Sequence, residues 1–225
     1  MQRNIIKKLE NQTKTYSLHY KLLIQNQILI QIKFKQMKNF KSIALALVVV
    51  LSTLSVTAQT KKINTAGSSI TWTGKKVTGQ HEGTINLKDG ALVFKGKKLV
   101  GGTFNVDMNS IVVTDLKAGQ GKEKLEGHLK ADDFFGTDKF ATATLVFKKV
   151  VTKTPNLYTV TGDLTIKGIT KPVTFDLATT ANTATTNVVI DRTKYDIKYG
   201  SGSFFDSLGD KAINDNFNLA VAVKF

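Results

Sequence analysis

Side chains that attack, hold metal ions or move protons are scarce in this chain, and their spacing is poor for any of those tasks. Its 225 residues include three histidines, His19, His81 and His128, and no cysteine. Without cysteine there are no disulfides, no thiolate metal sites, no sulfur nucleophile and no lipid-anchored terminal cysteine. Three scattered histidines leave little room for an imidazole-built metal centre. No Gly-x-Ser-x-Gly, His-Glu-x-x-His or phosphate-loop pattern occurs. The carboxylates are interspersed with lysines, as on a wet outer face. His128 lies in a charge-rich stretch and reads as solvated. His81 shares strand parity with Ile85 and Leu87, which aims it inward, where a lone histidine is more often a core or pocket group than a catalyst. We therefore expect no catalytic residue, no cofactor and no metal.

The charge points away from nucleic acid once it is divided along the chain. Residues 1–58 hold nine of the 32 Lys and Arg but only one acid, Glu10, whereas residues 59–225 hold the other 23 with 16 acids. The first quarter thus carries +8 of the net +15. A nucleic-acid footprint needs its basic residues on the folded domain, and here the excess sits mostly in front of it.

That front part reads as a processing segment. From Met37, Lys38 and Lys41 form a basic region, Ile43–Leu54 an apolar one, and Val56-Thr57-Ala58 a small-residue site for cleavage after Ala58. The apolar run is too short for the roughly 20 residues that span a bilayer, so residues 37–58 are expected to be a signal peptide rather than an anchor. Residues 1–36 draw 21 positions from Lys, Asn, Ile and Gln, without caps or a steady period. We read 1–36 as a mis-called or disordered extension, with Met37 the true start, in preference to an extended basic region of the same signal. Residues 59–225 then form the exported domain.

The elements in that domain follow a period of two. Ile70 and Trp72, Phe104, Val106 and Met108, and Ala143, Leu145 and Phe147 alternate with Thr, Asn, Asp and Lys. So do Tyr158, Val160, Leu164 and Ile166; Val173, Phe175 and Leu177; and Phe217 to Phe225. Each such segment is a strand with one apolar and one polar face. Asp89-Gly90 predicts a hairpin, and Gly101-Gly102, Thr154-Pro155-Asn156 and Lys167-Gly168 predict further breaks. Lys122–Lys130, with Leu125 and Leu129 four apart, predicts a short helix leading into the Phe134-Phe135 loop. The fold expected is all-β, an antiparallel barrel or sandwich of eight or more strands.

Three uses of such a barrel compete: an outer-membrane barrel, a packed barrel with a structural or stress role, and a soluble barrel enclosing an apolar ligand. FNLAVAVKF at the C-terminus resembles a membrane-barrel strand, but Trp and Tyr total six in the chain, too few for two girdles. About eight strands enclose just enough room for one small molecule or chain.

The stretches Gly79-Gln-His-Glu-Gly-Thr-Ile85, Leu99–Met108, Leu125–Phe135, Val160–Val173 and Ile190–Ile197 occur in an order that resembles the YceI-like family of secreted bacterial lipid-binding proteins. The resemblance runs over residues 61–225. It implies an extended, eight-stranded, lipocalin-like antiparallel barrel, exported to the periplasm or secreted, holding a polyisoprenoid or similar long-chain amphiphile. The partners expected are that lipid, together with transient membrane-surface contact through paired lysines such as Lys75-Lys76, no nucleic acid, and a monomer or homodimer. Candidate lining residues are the inward Trp72, Phe94, Phe104, Met108, Leu145 and Phe147, with Tyr158 and Phe175. Phe134 and Phe135 are placed at the mouth, and His81 and Arg192 at a polar end. The parity of Arg192, opposite to that of Val189, leaves a surface position open for it.

Overall fold

The structure is a computed structural model and describes residues 18, 20–29 and 57–225. The chain divides into a leading unit up to Leu54 and a second unit, Ser55–Phe225. In the first, residues 20–29 are helical and exposed, an element the composition of that segment does not foretell. Among the described residues no helix is long and apolar enough to cross a membrane. The expected signal peptide falls almost entirely outside the described residues.

Nine strands build the second unit: β1 (Ala58–Lys62), β2 (Asn64–Lys76), β3 (Gly79–Lys95), β4 (Lys98–Val113), β5 (Thr142–Thr154), β6 (Leu157–Ile166), β7 (Ile169–Thr179), β8 (Thr183–Asp191) and β9 (Ile213–Lys224). One helix, α1 (Lys122–Lys130), lies between β4 and β5, and a 3-10 turn, Arg192–Tyr195, follows β8. The order β3-β2-β9-β8-β7-β6-β5-β4, with β4 pairing back onto β3, closes an eight-stranded antiparallel barrel. β1 lies beyond that ring, pairing Ala58 with Lys95 and Lys62 with Ala91 at the far end of β3.

The alternation predicts the faces well. Trp72, Phe104, Met108, Val160, Phe175 and Leu177 are buried, and the intervening Thr, Asp and Lys point out. Two glycine signals mean something else. β3 runs straight through Asp89-Gly90, where one extra residue on β3 makes a bulge between the pairs Leu87–Val106 and Asp89–Asn105. Gly101-Gly102 lies inside β4, and the turn sits instead at Gly96-Lys97. A Cβ on Gly102 would come within 2.9 Å of the Phe147 ring, so this glycine is there to let an aromatic ring lie against the backbone.

The ring of hydrogen bonds is uneven. β6 and β7 are in register over their whole length, from Leu157–Ala178 to Ile166–Ile169. β7 and β8 share only the pairs Ala178–Thr185 and Thr179–Ala184 next to their hairpin. Beyond it, the Thr186 hydroxyl donates to the Asp176 carbonyl at 2.6 Å and stitches the seam. Pro172 sits on β7, a residue that sheets tolerate at free edges.

The two ends differ. At one, short turns at 96–97 and 155–156, the β7–β8 hairpin and the end of β9 surround Leu92, Phe94, Leu99 and Tyr158, all buried. At the other emerge the long β4–β5 and β8–β9 connections, with α1 packed against β4. The Glu126 carboxylate fixes that packing by accepting from the Val113 backbone N–H at 2.8 Å.

Candidate ligand-binding site

Inward side chains of the ring leave space between them at two levels. The upper cavity, about 130 Å³, is bounded by Trp72, Met108, Ile111, Phe134, Phe135 and Phe217 among others. The lower, about 100 Å³, lies among Phe104, Leu145, Phe147, Val173, Phe175 and Leu177. Ile70, Val106, Leu164 and Leu219 belong to both walls, so the two are successive chambers of one interior. The rings hold each other apart: Phe104 and Phe147 centroids are 5.6 Å apart, Phe147 and Phe175 6.0 Å. An interior of this chemistry excludes water and accepts hydrocarbon.

Above the upper chamber a cleft of about 620 Å³ opens between β2 and α1. Trp72, Leu129 and Phe134 separate the two, each lining both spaces. Trp72 can lie flat there because position 83, facing it from β3, is glycine: a Cβ would sit 2.5 Å from the indole. Phe134 and Phe135 follow α1 and contact each other edge to face at 5.1 Å, so the adjacent aromatics border the interior. The rim carries Lys75, Lys76 and Lys124, with His81, His128 and Tyr199.

His81 Nδ1 is 2.8 Å from the Asp115 carboxylate, which also accepts from the Glu82 N–H. Partial burial pushes the Asp115 pKa up, and these hydrogen bonds outweigh it and hold the group below its ordinary value. His128 is not solvated as its charged helix suggests. Its ring packs between Phe134 and Tyr199, at 5.6 and 4.3 Å, because Leu125 and Leu129 turn that side of α1 toward the barrel.

Arg192 is neither a surface residue nor a free polar end. It is 2% exposed, because Val188, Ile190 and Arg192 face inward while Val189 faces out. Its guanidinium donates to the carbonyls of Asn214, Ile197 and Ile213 at 3.1, 2.7 and 3.0 Å. Asp215 stands 3.7 Å away. Burial pushes the Arg192 pKa down, and Asp215 and Asp191 push it back up. The Asp191 side chain caps the 3-10 turn by accepting from the Thr193 N–H and hydroxyl. The Ile190–Ile197 stretch is therefore a clamp that holds the β8–β9 connection over the chamber, and Arg192 Cζ approaches the Phe134 ring at 5.8 Å.

Phe94 and Tyr158 are also placed differently from a tunnel wall. Phe94 stacks on Phe225 at 5.6 Å with Lys61 above it, because β3 runs past its bulge to pair with β1. The Tyr158 hydroxyl reaches toward the Lys97 carbonyl and the Leu99 N–H, both at 3.4 Å. Both residues plug the closed end. Of the other predicted residues, Trp72, Met108, Phe134 and Phe135 gather in the upper chamber, and Phe104, Leu145, Phe147 and Phe175 in the lower. Val106, Leu164 and Leu219 line it too, and the same alternation marks them; nothing in the sequence signals Lys124 or Tyr199.

A family model of the YceI-like domain matches residues 61–225. This chain belongs to the YceI-like family. Relatives include the UPF0312 protein of Shewanella denitrificans, 37% identical over 92 residues that are 41% of this chain and 46% of that one. A UPF0312 protein of Staphylococcus aureus is 49% identical over 55 residues, 24% of this chain and 29% of its own. The chain thus matches less than half the length of these relatives. Among solved structures, Burkholderia cenocepacia BcnA has a TM-score of 0.59 at 20% identity, covering 72% of this chain and 99% of its own. The polyisoprenoid binding domain from Saccharophagus degradans has a TM-score of 0.50 at 13% identity, covering 72% and 95%. These likenesses place the barrel as a YceI-like fold.

Proposed function

We propose that this protein is an exported, periplasmic or secreted carrier that holds a long-chain amphiphile, a polyisoprenoid or similar lipid, with its tail in the two chambers and its head in the cleft. The observation that carries this reading is the pair of stacked apolar chambers opening onto a polar rim. The polyisoprenoid binding of the Saccharophagus degradans domain supports it. Burying tail carbons is worth roughly 0.8 kcal/mol each, so about ten of them, as many as the two chambers hold, give a gross gain near 8 kcal/mol. Ordering the chain removes much of this, and a preformed interior limits what the protein itself must order. The role needs no catalytic group, cofactor or metal, and involves membrane contact only at transfer. The barrel's surface supports a soluble carrier over a membrane-spanning one: Lys148, Asp163, Thr174 and Asp176 lie on its outer faces, where a lipid-embedded barrel carries an apolar band.

The full chain, purified under mild conditions from its native source, should release a stoichiometric long-chain lipid to organic extraction, read by mass spectrometry. Delipidated protein that neither rebinds that lipid nor gains thermal stability from it would overturn the reading.

A further inference from the structure

The rim holds two polar atoms that the fold leaves without partners. Trp72 Nε1 and His128 Nε2 are buried and make no hydrogen bond. Trp72 is 8% exposed, yet it lines both the upper chamber and the cleft, so its indole stands where the apolar and polar spaces meet. A buried N–H without an acceptor is costly, and native structures seldom leave one unsatisfied. His128 reaches the same cleft from α1, its ring held by Phe134 and Tyr199.

The charge around these atoms has one sign. Lys75, Lys76 and Lys124 line the cleft, and no carboxylate does. Three acids on the neighbouring elements are already engaged. Asp115 accepts from His81 and the Glu82 N–H, Glu126 from the Val113 N–H, and Glu123 from the Gly119 N–H. None of the three lysines makes an ion pair among the described residues.

We propose that the cleft selects an acidic lipid head, a carboxylate or a phosphate monoester, whose oxygens accept hydrogen bonds from Trp72 Nε1 and His128 Nε2 under the field of Lys75, Lys76 and Lys124. This rests on the carrier reading and adds the chemistry of the head to it. An oxyanion suits the site better than a neutral oxygen. It offers several lone pairs to converging donors, and charge-assisted bonds are about twice as strong as neutral ones. The apolar wall of Trp72, Leu129 and Phe134 directly below fixes the distance at which the tail must begin.

Trp72 is the only tryptophan in the chain, so its fluorescence reports on this position alone. The delipidated full chain is titrated with hexadecanoate, hexadecyl phosphate, hexadecanol and inorganic phosphate, following Trp72 emission. Expected is a preference of about tenfold or more for the two acidic lipids over the alcohol. In Lys75→Gln/Lys124→Gln that preference should shrink towards unity while hexadecanol binding is unchanged. Trp72→Phe, followed by thermal shift, keeps an aromatic side chain without the N–H and should weaken the acidic lipids severalfold more than hexadecanol. Equal affinity for acid and alcohol overturns the proposal while leaving the carrier reading intact. Inorganic phosphate binding as tightly as hexadecyl phosphate overturns it too, since the site would then serve a free anion. If none of the chains binds, it is the carrier reading that fails.

Discussion

The two ends of the barrel are built from the same strands and do opposite things. At the closed end, connections are a few residues long, and Leu92, Phe94, Leu99 and Tyr158 fill the space between them. At the open end, the β4–β5 and β8–β9 connections are long enough to carry a helix and a 3-10 turn, and space remains beneath them. A short turn adds nothing beyond the backbone it joins, whereas a long connection brings side chains of its own that can shape a site. The open end then needs a brace that the closed end does not, and Arg192 supplies it.

That contrast can be broken at several points. Replacing Phe147 by Asp places a carboxylate among the rings of the lower chamber; ligand retention, read by mass spectrometry on protein with a native circular-dichroism spectrum, should be lost altogether. Retention at the normal level would remove Phe147 from the wall. Arg192→Met leaves three carbonyls without a donor, which should cost about 3–5 kcal/mol. A thermal midpoint lower by roughly 10 °C checks it. Lys at the same position should not rescue it, because an ammonium cannot span three diverging acceptors. Tyr158→Phe at the closed end removes only two long hydrogen bonds and should cost about 0.5–1 kcal/mol with ligand binding unaffected. A large loss of binding there would show that the closed end also takes part.

The smallest effect is expected at the rim. The Asp115 carboxyl titrates below its ordinary 3.8. Its contribution to stability is therefore present at pH values above that and disappears as the pH falls through the folded-state pKa. Unfolding midpoints of the wild type and Asp115→Asn should differ modestly at neutral pH and converge as the pH falls below 3.8, through the lowered folded-state value. A difference that persists unchanged at low pH would show that the His81–Asp115 contact contributes nothing through its charge.

Much of this was readable beforehand, for a physical reason. Strand faces follow from alternation, and Phe104, Met108, Leu145 and Phe147 obey it because successive side chains on a strand point to opposite faces. Asp89-Gly90 misleads because a bulge and a hairpin use the same residues; only the partner strand decides between them. Arg192 misleads because Val189, an exposed β-branched residue, passes for an inward one. His128 misleads because the charges of α1 lie on its outer side and say nothing about the side that faces the barrel. Phe94 and Tyr158 have the right parity but lie at the wrong height, and period two carries no information about height. Pro172 carries a further signal in the sequence: a proline within a strand marks a free edge.

That free edge has a consequence for how the container behaves. A hoop stitched firmly at seven joints and lightly at the eighth can change its girth without coming undone, and the Thr186–Asp176 tie is the link that would give first. Pro172 meanwhile keeps the loosened margin from adopting a foreign strand. The circumference of the barrel is therefore held least firmly between β7 and β8.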